Sequence, residues 1–430
     1  MAGDWTATTL GECVRFVSGG TPSKGNGEFW GGNIPWVSAK DMKSFWVDDS
    51  EDMLTEKGVA AATSLAPEGS TLLLVRGMTL HNDIPIVRVR QPSTFNQDVK
   101  AVLPKSSVLA DYVPYLLLGH KATLSEKVDA AGHGTGRLAL DALLSIPVHL
   151  PPPAEQSTIS NLLGALDDKI ELNRRMAATL EEMARALFKS WFVDFDPVRA
   201  KAEGRPTGLP AATSALFPDT FGEDGLPEGW QETPFGEVFD IRNGNTPSTE
   251  EPRYWGGEHH WATPKDLSSL ASPVLLRTDR RLSGHGVAVV NSGLLPAGSV
   301  LLSTRAPIGY LAFASCPVAI NQGMAGIVGK GLSTAFAWQW CAAKIDTFLA
   351  VAGGSTFPEI SKGTLRRLPM VVAPADVSNA FAACVDPVVE RLVELAREND
   401  HLATLRNTLL PRLISGELRI KDSAARGEAA

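Results

Sequence analysis

The chain has 430 residues, 44% of them hydrophobic and 20% charged, which is enough for two or more folded domains and excludes a disordered chain. No apolar run reaches the length of a membrane span, and Met-Ala-Gly-Asp-Trp at the start lacks the regions of a signal peptide, so we expect a cytoplasmic protein without membrane contact. The net charge of −8 argues against a uniformly basic nucleic-acid binder.

The globular parts of the chain have the pattern of mixed α/β domains. Short apolar, β-branched runs bounded by Gly and Pro predict strands, and longer stretches with apolar residues every three or four positions predict helices. The predicted strands are Thr71–Val75, Ile84–Val89, Ile146–Leu150, Ser299–Ser303 and Leu368–Val372, and the predicted helical stretches are 111–128 and 332–350.

Two much longer helices are predicted, one after each globular part. The first runs from Glu155 to Trp191, which is roughly 55 Å at 1.5 Å per residue. The second has a strict seven-residue apolar series, Phe381, Val388, Leu395, Leu402 and Leu409, which is typical of a coiled-coil seam.

One asparagine interrupts the apolar seam of each long helix. Asn173 falls in the series of the first helix and Asn399 in that of the second. A lone Asn on a seam can fix the register of two helices by pairing with a polar group, or it can lie in water at the edge of the seam. Both interpretations are open from the sequence.

An internal repeat with a shift of 225 residues (246 − 21) is the strongest feature of the sequence. Between residues 21–42 and 246–267, nine of 22 positions are identical without a gap. The matched motifs are Thr21-Pro22-Ser23 with Thr246-Pro247-Ser248, Trp30-Gly31-Gly32 with Trp255-Gly256-Gly257, Trp36 with Trp261, Lys40-Asp41 with Lys265-Asp266, and Asn96-Gln97 with Asn321-Gln322. The period is too long for a solenoid and predicts two copies of one domain.

The repeat, the helices and a Pro- and Gly-rich stretch divide the chain into six segments. These are an N-terminal α/β domain at 1–151, a central long helix at 152–198, a linker at 199–229, a C-terminal α/β domain at 230–373, a C-terminal long helix at 374–418 and a flexible tail at 419–430.

The repeated motifs resemble those of type I restriction-modification specificity subunits over almost the whole chain. The stretches that carry the resemblance are SGGTPSKGNGEFWGGNIPWVSAKDM, VRGMTLHNDIPI with FNQDVK, PPPAEQSTISNLLGALDDKIELNRRMAATLEEMARALFKSWFVDFDPVRAK, GNTPSTEEPRYWGGEHHWATPKDL, LLSTRAPIGYLAF with AINQG, and LRNTLLPRLISGEL.

The resemblance implies an α/β fold with two pseudo-repeated target recognition domains, joined by two long antiparallel coiled-coil helices. Each domain would read one half of a bipartite site in double-stranded DNA. Two methyltransferase subunits would dock on the helices, and motor-nuclease subunits would complete a restriction complex that defends against phage. The N6-adenine methylation and the ATP-driven cleavage would belong to those other chains.

The sequence offers no catalytic equipment of its own. There is no phosphate-binding loop, no adenine-methyltransferase motif and no Gly-rich run in the strand–glycine–helix order of a dinucleotide site. Asp194 and Asp196 have the spacing of metal-binding carboxylates, but they end a helix and we see no nearby Lys. Four scattered cysteines, without Cys-x-x-Cys spacing, predict neither a zinc site nor disulfides. We therefore expect no enzyme, no cofactor and no metal.

Polar side chains on Gly-flanked loops are the candidates for DNA contact, because base reading needs paired donors and acceptors. In the first domain these are Ser18, Thr21, Ser23, Lys24, Arg76, His81, Asn82, Thr135 and Arg137; in the second they are Asn243, Asn245, Thr246, Ser248, Arg305, Ser355 and Thr356.

Residues that recur in both copies have a second interpretation as framework. Domains with different targets should share framework and differ in the residues that read bases, so Thr21-Pro22-Ser23 is expected to be partly a structural turn, and the Asn-Gln and Trp pairs to be structural. Arg76 and Arg305 suit phosphate contact, which carries no sequence information. His81 and Asn82 differ from the residues of the second copy and suit sequence choice.

The acidic balance leaves other functions open. Residues 1–150 hold 13 Lys and Arg against 16 Asp and Glu, and residues 205–372 hold 13 against 14. Either partner subunits supply much of the phosphate contact, or the chain is a coiled-coil scaffold with two protein-binding heads. A specificity subunit for a methyltransferase without a motor is a further alternative.

Overall fold

The structure is a computed structural model that describes residues 5–131, 134–354 and 358–420. The chain divides into two compact units. Unit 1 comprises Met1–Glu171 with His401–Ala430, and unit 2 comprises Leu172–Asp400. Each unit contains one α/β domain and a part of each long helix. None of the helices in the described ranges is long and apolar enough to cross a membrane.

Unit 1 is built from short strands and short helices that precede the first long helix. Its strands are β1 Thr6–Thr9, β2 Val14–Ser18, β3 Trp30–Val37, β4 Trp46–Val47, β5 Met53–Leu54, β6 Leu65–Ala66, β7 Thr71–Leu74, β8 Arg76–Gly77, β9 Ile86–Val89, β10 Ser93–Phe95, β11 Val99–Pro104, β12 Val128–Ala131, β13 Thr135–Leu138 and β14 Pro147–Leu150. Its helices are α1 Leu10–Cys13, α2 Glu56–Ala62, α3 Val113–Gly119, α4 Lys121–Glu126, α5 Leu140–Leu144 and the first part of α6 Pro153–Phe192, with 3₁₀ turns at Gly27–Phe29, Met78–His81 and Ala110–Tyr112.

Unit 2 repeats this plan. Its strands are β15 Gln231–Pro234, β16 Phe239–Asn243, β17 Trp255–Ala262, β18 Val274–Leu275, β19 Arg280–Leu282, β20 Val300–Thr304, β21 Ile308–Ala314, β22 Val318–Ile320, β23 Met324–Gly329 and β24 Pro369–Val372. Its helices are α7 Asp196–Ala202, α8 Ala211–Ser214, α9 Phe235–Val238, α10 Pro264–Ser268, α11 Gly284–Ala288, α12 Thr334–Ala343, α13 Ile345–Ala350, α14 Lys362–Arg367 and most of α15 Ala375–Ile414, with a 3₁₀ turn at Pro252–Tyr254.

The strand orders of the two units correspond. The five-stranded sheet β2-β11-β7-β9-β4 of unit 1 matches β16-β23-β20-β21-β18 of unit 2, and β5-β3-β10 matches β19-β17-β22. The pair β1-β14 matches β15-β24. The middle strands β7 and β20 are buried along their whole length, which explains their continuous runs of apolar and small residues. The predicted duplication of an α/β domain is therefore confirmed.

The two long helices pack together, and two contacts at different levels in unit 2 show that they run antiparallel there. In unit 1, Asp167 of α6 contacts Arg406 of α15. In unit 2, Asn173 meets Asn399, and further along α6 the ring of Phe192 lies 5.1 Å from that of Phe381. Residue numbers therefore rise along α6 as they fall along α15.

The two seam asparagines meet in unit 2. The side chain of Asn173 is fully buried, and its Nδ2 donates to Oδ1 of Asn399 at 3.0 Å and to Oε2 of Glu398 at 2.9 Å. The interpretation that Asn173 lies in water is wrong. That the pair fixes the helix register stays a prediction, which this pairing supports because only one register brings the two amides together.

A buried carboxylate joins three elements of unit 1. The side chain of Asp167 is 1% exposed, and it accepts from the Tyr115 hydroxyl of α3 at 3.0 Å and from the Arg406 guanidinium of α15. Burial raises the pKa of Asp167 while Arg406 opposes that shift. The next residue, Asp168, accepts from Nε1 of Trp46 in β4 at 3.0 Å. This pair of carboxylates ties the five-stranded sheet to both helices.

The segment 199–229 is not the open linker that its composition predicts. The ring of Phe217 is 2% exposed and lies 5.0 Å from that of Trp191, edge to face. Trp230 packs on Phe192 with the ring centroids 5.6 Å apart. Aromatic residues spaced through a Pro- and Gly-rich stretch anchor it to the end of α6, and these anchors outweigh the composition.

Two other boundaries differ from the sequence predictions. The helical stretch 111–128 breaks at His120, and 332–350 breaks at Lys344, so each is a pair of short helices. In the expected flexible tail, Arg419 donates to both carboxylate oxygens of Glu155, at 3.0 and 2.8 Å. Residues 421–430 of that tail lie outside the described ranges.

Replacing Arg406 with Leu should destabilise unit 1 strongly. The substitution leaves the Asp167 charge buried without its cation, which costs about 3–5 kcal/mol. Urea unfolding of the purified chain measures the change. Arg205→Leu is the matched control, because Arg205 forms an exposed ion pair with Glu203 and its loss should change the free energy of unfolding by less than about 1 kcal/mol. Equal effects of the two variants would contradict the role of Asp167.

Glu181 should make unit 2 less stable as pH rises. Burial on α6 raises its pKa to about 7, so the folded state binds this proton more tightly than the unfolded state. The penalty is absent below about pH 4.5, develops up to pH 7 and is complete above it. We expect Glu181→Gln to stabilise the chain by roughly 1–3 kcal/mol at pH 8 and little at pH 4.5. Thermal unfolding at both pH values, with the exposed Glu182→Gln as control, measures this; a Glu181→Gln effect independent of pH would contradict it.

Candidate nucleic-acid interface

The repeated Thr-Pro-Ser motif is held in the same way in both units. The hydroxyl of Thr21 donates to Oε1 of Gln97 at 2.6 Å, and the hydroxyl of Thr246 donates to Oε1 of Gln322 at 2.6 Å. Each bond ties the start of a surface loop to the residue that follows a core strand. The threonine of the motif is therefore framework in both copies.

Paired tryptophans close each of these loops. Trp30 donates to the carbonyl oxygen of Ser23 at 3.1 Å, and Trp255 donates to that of Ser248 at 2.9 Å. In each unit the second tryptophan stands edge to face against the first, with centroids 5.2 Å apart in unit 1 and 5.0 Å apart in unit 2. The Trp pairs are thus structural, as predicted from their recurrence.

A different cation lies over each tryptophan pair. In unit 1 it is Lys24, with Nζ 5.9 Å from the centroid of Trp30. In unit 2 it is Arg280 of β19, whose guanidinium carbon is 3.4 Å from the centroid of Trp255. The aromatic faces hold both charges in place near the loop surface by cation–π attraction.

A row of three charged residues crosses the small sheet β12-β13-β8 of unit 1. Arg137 of β13 lies directly opposite Arg76 of β8 on one side and Asp129 of β12 on the other. Residues directly opposite on antiparallel strands point to the same face, and all three side chains are exposed. Among the described residues, no carboxylate lies within ion-pair distance of either arginine. Two adjacent guanidinium groups repel each other, so this face favours an anion or an acceptor-rich ligand.

The 3₁₀ turn beside this row holds two more predicted residues. His81 donates through Nε2 to the carbonyl oxygen of Gly134 at 3.0 Å, which ties the turn to the loop before β13. Asn82 follows it and is exposed. The fold therefore brings Arg137, more than 50 positions away in sequence, onto one surface with Arg76 and His81.

Unit 2 has the corresponding row with different residues. Glu359 forms antiparallel bridges to Arg305 on one side and to Gly353 on the other. Nη1 of Arg305 lies 3.4 Å from Oε2 of Glu359, and Nζ of Lys362 lies 3.6 Å from its Oε1. Burial lowers the pKa of Lys362, which also donates to the carbonyl oxygen of Gln322 at 2.7 Å. The carboxylate of Glu359 is held between two cations.

The remaining predicted residues separate into held and exposed side chains. Ser18 accepts from Lys100 Nζ at 2.8 Å, and Asn245 is fixed on both sides, donating to Val289 O at 3.1 Å and accepting from Asn291 N at 2.6 Å. Asn245 therefore belongs to the framework, which its place in a Gly-flanked loop did not reveal. The side chains of Ser23, Asn243 and Ser248 are exposed, Thr135 is half-buried, and Ser355 and Thr356 lie outside the described residues.

Glu359, Lys362 and Arg280 have the geometry of functional residues but were not among the sequence candidates. Glu359 and Lys362 become neighbours of Arg305 only through strand pairing over more than 50 positions. The adjacent arginines at 280 and 281 were a visible signal of a basic surface.

A metal site is not evident in the described part of the chain, which contains no group of three His, Cys, Asp or Glu side chains placed to hold an ion. The expectation that no Lys lies near Asp194 is wrong, because Lys189 forms an ion pair with it. The ion pair neutralises the Asp194 carboxylate, which follows the end of α6, and agrees with the interpretation of Asp194 as a helix-end residue.

A family model described as the type I restriction modification DNA specificity domain matches residues 2–182 and again residues 227–398. The chain is 24% identical over 435 aligned residues to the type I restriction enzyme MjaIX specificity subunit of Methanocaldococcus jannaschii, covering 97% of this chain and 94% of the relative. It is 28% identical over 360 residues to the HindI specificity subunit of Haemophilus influenzae, covering 72% and 78%. Over 161 residues, 37% of this chain and 40% of the relative, it is 35% identical to the EcoR124I/EcoR124II specificity subunit of Escherichia coli.

The fold is also that of a solved structure, the S subunit of a type I restriction-modification system from M. genitalium. The TM-score is 0.58 at 12% identity, and the alignment covers 96% of each chain. Since the family model matches both halves and most of the sequence, the chain belongs to the type I restriction-modification specificity-subunit family, whose members recognise DNA and are not themselves catalytic.

Proposed function

We propose that this chain reads a bipartite site in double-stranded DNA, one half with each unit, and directs N6-adenine methylation and restriction by partner subunits. The observation that carries the proposal is that one framework occurs twice with different exposed residues at matching positions. Arg76 and Arg305 follow the middle strand of each five-stranded sheet, while Arg137 and Glu359 differ. A common frame with different side chains suits two half-sites of different sequence.

Phosphate contact belongs to the arginine that both units share. Arg76 and Arg305 occupy the same place in the fold, so their guanidinium groups can position a duplex without choosing a sequence. Lys24 and Arg280, held over the tryptophans, add positive charge beside the loops. Base contacts come from the other candidates, His81, Asn82, Thr135 and Arg137 in unit 1 and Asn243, Ser248, Ser355 and Thr356 in unit 2.

Two methyltransferase subunits dock on the helical parts of the two units, and motor-nuclease subunits join the assembly. Exposed apolar side chains on the helices support this: Leu405 of α15 in unit 1 is 48% exposed, and Leu172 and Met183 of α6 in unit 2 are 54% and 60% exposed. Burial of these side chains against a partner would remove apolar surface from water. The partners also supply phosphate contacts that an acidic chain with a net charge of −8 lacks.

A genome-wide map of N6-methyladenine, with and without this gene, tests the function. We expect one split motif with a fixed unread gap to disappear on deletion and to return on complementation. An unchanged map in a host that expresses the partner methyltransferase would contradict the proposal and would favour the scaffold interpretation. Loss of methylation without any restriction of unmodified phage would indicate a methyltransferase complex without a motor.

Arg76→Ala should weaken DNA binding by the methyltransferase complex to a similar degree for all sequences. Loss of one phosphate contact should also lower the slope of log Kd against log salt concentration by about 1. Fluorescence anisotropy over a salt series on cognate and scrambled duplexes measures both effects. Arg205→Ala, which removes an exposed arginine in the segment outside both α/β domains, should leave affinity and slope unchanged; a loss confined to the cognate duplex would instead make Arg76 a base contact.

A further inference from the structure

In the row of charged residues on the small sheet, one position holds the same residue type in both units and another does not. Arg76 and Arg305 are the shared members, each directly after a middle strand. Arg137 and Glu359 correspond because each lies opposite that arginine and three residues before the helix that follows, which begins at 140 in unit 1 and at 362 in unit 2. The two units therefore place opposite charges at one equivalent point of the same frame.

Phosphate contact cannot explain both residues at the variable position. The carboxylate of Glu359 is repelled by the phosphates of a duplex, so any favourable contact that it makes with DNA is to a hydrogen-bond donor on a base edge. In the major groove these donors are the exocyclic amino groups of cytosine and adenine. Because Arg137 occupies the matching position in unit 1, we expect it to face a base as well.

Arg137 and Glu359 present their polar groups for base contact in different ways. Arg305 and Lys362 flank the carboxylate of Glu359 and orient it, yet 37% of the side chain remains exposed. A carboxylate accepts about four hydrogen bonds, so its free lone pairs remain available. Arg137 lies directly opposite Arg76 and is exposed, and among the described residues no carboxylate lies within ion-pair distance of it, so its guanidinium is available to an acceptor. The paired acceptors O6 and N7 of guanine match a guanidinium fork.

We infer that Arg137 and Glu359 are specificity-determining residues, Arg137 selecting guanine in one half-site and Glu359 selecting a base with an exocyclic amino group in the other. The inference rests on the proposed function, since it assumes that both units face DNA. It adds which residue chooses a base in each unit and what kind of base each accepts.

The test measures base preference with the assembled methyltransferase complex on a duplex library randomised across both half-sites. Arg137→Gln should lower the preference for guanine roughly tenfold or more at one position of one half-site. Glu359→Gln, which keeps the side-chain shape, should reduce preference for the amino-bearing base to a similar extent at one position of the other half-site. Whether that base is cytosine or adenine is read directly from the wild-type library.

Each variant carries an internal control, because the half-site read by the unchanged unit should keep its preference and so show that the complex is folded. Arg137→Lys separates the two kinds of contact: lysine keeps the charge but loses the fork, so guanine preference should fall while overall affinity changes little.

Uniform weakening on all sequences, or an unchanged preference at every position of both half-sites, would overturn the inference while leaving the proposed function intact. A wild-type complex that selects no split site would overturn both.

Discussion

A close backbone approach in each unit is the constraint on which the recognition surfaces depend. A Cβ at Gly19 would lie 2.1 Å from the carbonyl oxygen of Phe95, and a Cβ at Gly244 would lie 1.8 Å from that of Ile320. Only glycine lets the strand end pass so near the neighbouring core strand. The threonine–glutamine bond and the tryptophan pair follow directly after this point, so loop position is set by the core and not by the loop itself.

This arrangement separates stability from recognition. The Thr, Gln and Trp residues that hold the loops recur in both units, while Arg137 and Glu359 differ at one equivalent position. Arg137 in one unit and Glu359 in the other give equivalent points opposite charges, and neither residue takes part in the Gly, Thr or Trp contacts that position the loops. One frame can therefore carry unrelated specificities, because the contacts that hold the loops do not involve the variable side chains.

Buried polar groups on the helices serve a related purpose. Asp167 in unit 1 and Asn173 in unit 2 are both fully enclosed, where apolar residues would pack without a desolvation cost. Asp167 links α3, α6 and α15, and Asn173 pairs the two helices at one level. Each contact can form in only one alignment of the elements and therefore fixes that alignment. Apolar side chains alone would allow the elements to slide past one another.

The sequence by itself determined the duplication, the α/β class, both long helices and the seam asparagines, since identity at a constant shift and apolar periodicity are local patterns. It also identified the Trp pairs as shared framework and the Thr-Pro-Ser motif as partly structural, because they recur. It misjudged the segment 199–229, where a few aromatic anchors override a Pro- and Gly-rich composition.

Only the tertiary structure decided which polar residues form the recognition surfaces. Asn245 proved to be framework because its amide binds the backbone of residues more than 40 positions away. Glu359 became a candidate because strand pairing sets it opposite Arg305. Cross-strand neighbours are fixed by pairing between distant segments, whose register depends on the packed core, and no local pattern in the chain encodes it.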